Sequence, residues 1–133
     1  MKFYKYHGLG NDYIVMNPAE VGRDLTQNEI QLICHRNYGI GSDGILWGPS
    51  PSQECRARLQ IFNPDGSEAE KSGNGLRIFS KYLFDHGFVD TRPFSIETAG
   101  GQVQSRVHAD GRMIDVEMGA VSFDSEVIPV TGK

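Results

Sequence analysis

The sequence predicts an α+β fold in which a curved, mostly antiparallel sheet wraps around one central helix. Three observations carry that prediction. Leu76, Ile78, Phe79, Tyr82, Leu83 and Phe84 cover most of the circumference of one helical run, Leu76 to Asp85, leaving a single polar stripe at Arg77, Lys81 and Asp85. A helix apolar nearly all round is enclosed by other structure and does not lie on a surface. About seven short runs have strand character and end in turn residues, and the two helical segments do not alternate regularly with them, which is the pattern of an α+β domain. The 133 residues are one domain's worth of chain, enough for a hydrophobic core.

In order along the chain, residues 2–6 and Asp12-Tyr13-Ile14-Val15-Met16 read as two strands joined by His7-Gly8-Leu9-Gly10-Asn11. Two glycines make that connection tight and place Asn11 at its end, where an Asn most often only satisfies turn backbone. Asp24 to Asn37 reads as a helix, since Thr26-Gln27-Asn28-Glu29 matches the capping box and apolar Ile30, Ile33 and Cys34 follow. Cys34 falls on the apolar face and reads as a small buried hydrophobe. His35, beside that face, reads as a helix-end residue.

Gly39-Ile40-Gly41-Ser42-Asp43-Gly44 fits G-x-G-x-x-G. A dinucleotide site needs a strand before that motif and a helix after it, and here the order is reversed, so the glycines are read as a helix stop and a bend into the strand Ile45-Leu46-Trp47. Residues 48–55 are a Pro/Ser-rich loop containing Cys55. Arg58-Leu59-Gln60-Ile61-Phe62 alternates as a half-buried strand and ends in the turn Asn63-Pro64-Asp65-Gly66.

Ser72-Gly73-Asn74-Gly75 then stands directly before the central helix. Glycines let a ligand approach the backbone, and the first N–H groups of a helix face an anion, so this is a site for a small acidic ligand. On helix chemistry alone, a simple cap and turn fits the same four residues. Asp85-His86-Gly87 supplies a glycine where a helix C-terminus favours one. The remaining strands are Phe94–Thr98, Gln102–Val107 and Met113–Met118, with turns at Gly100-Gly101 and Asp110-Gly111, and His108 near the second reads as solvated. The pattern fades from Val121 to Lys133 after a strand-like Val127-Ile128-Pro129-Val130.

Glycine is abundant, 16 of 133 residues, against a usual ~7%. A net charge of −4 without a basic cluster excludes the electrostatic footprint of a nucleic-acid binder. The N-terminal Met1-Lys2-Phe3-Tyr4-Lys5-Tyr6-His7 has no apolar core of a signal peptide, and no apolar run approaches the roughly 18 residues of a membrane span. A cytoplasmic, small-molecule-binding protein is expected. Cys34 and Cys55 are not paired with each other or with histidines at metal-ligand spacing, so no metal is expected.

Four segments, His7–Tyr13, Gly39–Gly44, Asn63-Pro64-Asp65-Gly66-Ser67-Glu68 and Ser72–Gly75, with a weaker fifth at Thr98-Ala99-Gly100-Gly101, together resemble the N-terminal half of the diaminopimelate epimerase family in order and spacing. The resemblance implies two similar lobes, each a curved sheet around a central helix, with the substrate between them; these 133 residues are one such lobe and the C-terminal lobe is absent from them. It implies that Asn11 and Asn63 hydrogen-bond the substrate and that the Gly73 and Asn74 backbone receives its α-carboxylate. Members of the family interconvert LL- and meso-diaminopimelate, on the path to lysine and peptidoglycan, by removing the α-proton on one face and returning one on the other. They use two cysteines and no cofactor.

This chain departs from the pattern at the first acid/base, where Ser72 stands in place of the expected cysteine; an alkoxide is much harder to generate than a thiolate, and no histidine base is evident beside it. The alternatives carried with the epimerase reading are a racemase, epimerase or dehydratase acting on another amino acid, and a non-catalytic lobe that binds a ligand or docks a partner. A homodimer is left open.

Overall fold

The computed structural model describes residues 2–8, 10–70 and 72–117. The readings made for Met118 and for Val121 to Lys133 lie outside the described residues. Within them the strands are β1 (Tyr4–Gly8), β2 (Asn11–Met16), β3 (Ile45–Ser50), β4 (Ala57–Phe62), β5 (Glu68–Ala69), β6 (Phe94–Thr98), β7 (Gly101–Val107) and β8 (Ile114–Glu117). The helices are α1 (Pro18–Val21), α2 (Gln27–Cys34) and α3 (Gly73–Asp85).

One sheet runs in the order β1-β2-β3-β4-β6-β7-β8, with short β5 paired to β4 off that path. Neighbours are antiparallel except β2 with β3 and β4 with β6, which are parallel. Parallel neighbours need a crossover of a dozen or more residues, and the helices sit in those two crossovers. α1 and α2 lie between β2 and β3 in the chain; α3 lies between β4 and β6.

The two crossovers run over opposite faces of the sheet. Ile14, Met16, Ile45 and Trp47 form one buried cluster with Ile30 and Cys34 of α2. Val15, Leu46, Leu59, Ile61, Ile96, Val103 and Val107 form the other, around Leu76, Ile78, Phe79, Tyr82 and Leu83 of α3. Strands β2 and β3 are therefore covered on both faces, which is why Ile14-Val15-Met16 and Ile45-Leu46-Trp47 are continuous apolar runs. Strand β7 is covered on one face only and alternates, with Val103, Ser105 and Val107 buried and Gln102, Gln104 and Arg106 exposed.

α3 touches β1 and β8, the two ends of the strand order, as well as β2, β3 and β7. A helix can reach both ends only if the sheet curls around it, so the enclosure expected from sequence is what the structure has. The Phe79 ring of α3 packs over Gly48, where a Cβ would stand 2.9 Å from that ring and 2.9 Å from the Arg58 carbonyl. The helix ends in a Schellman motif: Phe88 N–H donates to the Leu83 carbonyl at 2.8 Å and Gly87 N–H to Phe84 at 3.1 Å, with Gly87 at φ +77°.

Several sequence-derived bounds shift. The central helix begins at Gly73, three residues ahead of Leu76, because Ser72 caps it there. The second helix is shorter at both ends than 24–37; its capping box at Thr26 and Glu29 is present, and it stops at Cys34. The loop expected over 48–55 is partly strand, since β3 runs to Ser50. The single turn of α1, with Asn17 as cap, and the two-residue β5 were not anticipated.

Candidate active site

Ser72 is the N-cap of α3, with extended backbone and its Oγ accepting from the Gly75 N–H at 3.0 Å. That is the third helical position, so the cap satisfies one orphan donor and the helix ladder offers no acceptor to the Gly73 and Asn74 N–H groups ahead of it. With the helix dipole adding partial positive charge at this end, the two amides have the chemistry to receive an anion such as a carboxylate.

Asn11 and Asn74 meet here although 63 residues apart, the Asn74 Nδ2 donating to Asn11 Oδ1 at 2.6 Å. Asn11 Nδ2 in turn donates to Asp43 Oδ2 at 3.2 Å, and the same oxygen accepts the Asp12 N–H at 2.9 Å. An amide NH2 carries two N–H groups, and these bonds use one on each Asn, so both side chains are oriented by protein and keep a donor for a ligand. Asn11 does more here than cap a turn.

The Gly39–Gly44 loop supplies the orientation. Gly41 N–H donates to the Ile33 carbonyl at 3.0 Å and Ser42 N–H to Cys34 at 3.2 Å, so the loop folds back on the end of α2 and brings Asp43 to β2. The helix itself stops earlier than the glycines expected to stop it, at Cys34 with His35 as its cap. Asp43 N–H then donates to the Asp12 carbonyl at 2.8 Å. The Arg36 guanidinium bridges both carboxylates, at 3.1 Å to Asp12 Oδ1 and 2.9 Å to Asp43 Oδ1. Lys5 Nζ lies 3.4 Å from Asp12 Oδ2.

Hydrogen bonds from Arg36, with the charges of Arg36 and Lys5, hold the Asp12 carboxyl far below the usual carboxylate range. A carboxyl with its folded pKa depressed stabilises the fold above its unfolded value of about 4, and that stability is lost as pH falls toward the folded value. Melting temperature is thus expected to fall on acidification below about pH 4, with a shallower decline in Asp12→Asn. Identical acid limbs in the two proteins would refute the role given to this ion pair.

Asn63 directly follows β4, and the registers Ile14 with Ile45 and Ile45 with Phe62 put that strand end level with the Tyr13–Ile14 segment. Its side chain is exposed and donates to Ser67 Oγ at 3.0 Å inside its own turn. The structure therefore joins Asn11, Ser72, Gly73 and Asn74 in one constellation and leaves Asn63 beside it, at the same sheet end but outside the hydrogen-bond network. The Thr98–Gly101 turn is tied nearby by Gly100 N–H donating to the Glu70 carbonyl at 3.3 Å.

Three contributors escaped the sequence reading. Asp43 and Arg36 orient Asn11, and the Tyr13 hydroxyl lies 3.2 Å from Ser72 Oγ. Tyr13 reaches it because Gly44 has no side chain; a Cβ there would come within 3.1 Å of the ring and 2.6 Å of the Phe62 carbonyl. Cys34 is buried, and burial pushes its thiol up, as suits a packing residue. Among the described residues no group of three or more His, Cys, Asp or Glu side chains could hold a metal ion, and no helix is long and apolar enough to cross a membrane.

A sheet curled around one helix whose N-terminus stays open is a fold that the chain shares with solved structures of several larger proteins. The described chain superposes with a TM-score of 0.64 on a hydroxyproline epimerase from Agrobacterium vitis, at 17% identity, covering 82% of this chain and 38% of that one. A probable proline racemase from Agrobacterium radiobacter gives a TM-score of 0.62 at 17% identity, over 86% of this chain and 40% of the other.

Sequence comparison is more specific: the chain belongs to the diaminopimelate epimerase family, whose model matches residues 3–123. It is 64% identical over 132 residues to diaminopimelate epimerase 2 of Nostoc sp., covering 99% of this chain and 46% of that protein. To diaminopimelate epimerase of Moorella thermoacetica it is 39% identical, covering 99% of this chain and 48% of the relative. The chain thus spans about half the length of the curated relatives it matches.

Proposed function

We propose that this chain is the N-terminal lobe of a cytoplasmic, cofactor-independent amino-acid epimerase that interconverts LL- and meso-diaminopimelate, with Ser72 on one face of the substrate and a C-terminal lobe supplying the other. The observation that carries this reading is the pair of N–H groups at Gly73 and Asn74, flanked by the fixed Asn11–Asn74 amides. The names of the two curated relatives support the choice of substrate.

Removing an α-proton beside a carboxylate concentrates negative charge on that carboxylate. Donors already aimed at it stabilise the transition state without reorganising, and more strongly where water is excluded. Gly73 and Asn74 are such donors in this lobe. Asn11 aligns the α-carbon over Ser72, and Asn63, at the neighbouring strand end, contacts the substrate farther from the helix. The first base is drawn from the opposite lobe when Ser72 acts as the acid.

Ser72 in place of a thiol favours a second reading, in which the opposite base alone does the chemistry, as in an elimination. Proton NMR of the full-length protein with diaminopimelate in deuterium oxide separates the two. Loss of the α-proton signal accompanied by LL-to-meso conversion is the expected result. Loss of that signal without inversion, or release of an olefinic product, selects one-sided chemistry; absence of both exchange and saturable binding overturns the epimerase proposal.

A further inference from the structure

We infer that Tyr13 is the positioning residue that makes Ser72 competent as an acid, the two hydroxyls forming a proton relay in place of a thiol. The inference rests on the epimerase reading above. Ser72 Oγ already accepts the Gly75 N–H at 3.0 Å, and its second partner is the Tyr13 hydroxyl at 3.2 Å. A hydroxyl has two lone pairs and one proton. Either hydroxyl can donate in this pair; in the relay Tyr13 donates, so that with Gly75 the lone pairs of Ser72 are filled and its own proton is left for the substrate.

The relay also addresses the chemical difficulty of serine. An alkoxide is too basic to leave behind, whereas a phenol lies close to a thiol in acidity. As the carbanion's electron pair forms the new Cα–H bond, the Ser72 O–H bond breaks; the Tyr13 proton passes to Ser72 Oγ, whose electron pair takes it up. The negative charge ends on the Tyr13 phenolate, and water returns the proton before the next turnover. In reverse, a Tyr13 phenolate draws the Ser72 proton while Ser72 takes the α-proton.

Position is built into the fold. Tyr13 shares the inner face of β2 with Val15, packed against the α3 core, and Gly44 leaves the space its ring occupies. The Gly75 N–H and the positive helix end favour negative charge developing on Ser72 Oγ during the transfer.

The test is a two-by-two comparison in the full-length protein, measuring LL-to-meso inversion for wild type, Tyr13→Phe, Ser72→Cys and the double variant. General acid–base groups contribute about 10²–10⁴-fold, so Tyr13→Phe is expected to lower kcat about 100-fold with KM changed less than about threefold. In the Ser72→Cys background the same change is expected to cost less than about threefold, because a thiol needs no relay. An equal loss in both backgrounds would show a purely structural role and overturn the relay. So would a wild type unable to invert while Ser72→Cys inverts, although the epimerase reading would then stand. If neither inverts nor binds diaminopimelate, that reading fails and the relay with it.

Discussion

Phe79→Ala is expected to destabilise the protein by about 3–5 kcal/mol, the range for truncating a fully buried aromatic core residue. Phe79 has no exposed surface and sits midway along α3, its ring stacked on Tyr82 at 6.2 Å and 16°. The cavity has little chance to close. On one side the neighbour is Gly48, which has no side chain to move inward, and β3 is paired to β4 on either side of it, at Trp47 with Gln60 and Ser50 with Arg58. Against a total stability of about 5–15 kcal/mol for an ordinary domain, this one change removes a large share. Urea unfolding of the full-length protein measures it, with Phe79→Leu as the smaller-cavity control. A loss under about 1 kcal/mol would mean that α3 lies on a surface, because such values belong to exposed positions.

The same enclosure explains what was readable in the sequence. With Phe84, the residues Leu76, Ile78, Phe79, Tyr82 and Leu83 leave only the stripe of Arg77, Lys81 and Asp85 uncovered by apolar side chains, so an enclosed helix was legible without knowing what encloses it. Thr26 with Glu29, and Gly87 after His86, were legible because caps act within a few residues. The start of α3 was not. Gly73, Asn74 and Gly75 are poor helix formers, and only the Ser72 cap and the surrounding sheet make them helical.

Partner choice among strands was hidden for a related reason. The parallel pairing of β2 with β3 and of β4 with β6 joins segments separated by crossovers, and no local pattern specifies it. The site divides in the same way. Gly73 and Asn74 follow from a motif that is continuous in the chain, whereas Asn11 finds Asn74 across 63 residues. Arg36 fell within the helix expected over 24–37 and Asp43 within the Gly39–Gly44 bend, and neither stood out because their value lies in each other and in Asp12. Tyr13 looked like a strand residue, and its hydroxyl becomes informative only once β2 is seen beside Ser72.

Gly73→Pro is expected to weaken binding of the α-carboxylate about 10- to 100-fold while leaving α3 intact. Proline is favoured at the first helical position, where its fixed φ suits the helix and its missing N–H costs the ladder nothing. The residue before a proline must be extended, and Ser72 already is, at φ −146° and ψ 119°. What the substitution removes is one of the two amide donors proposed to receive the carboxylate. A hydrogen bond to a charged group is worth about 1.5–3 kcal/mol, and about 1.4 kcal/mol is tenfold in affinity. Calorimetric titration of the full-length protein with diaminopimelate reads the affinity, and circular dichroism with a thermal melt reads the helix. Unchanged affinity with an intact helix would remove the Gly73 amide from the site. Because Ser72 and Tyr13 keep their hydroxyls in this variant, a loss confined to binding separates the carboxylate receptor from the proton donor beside it.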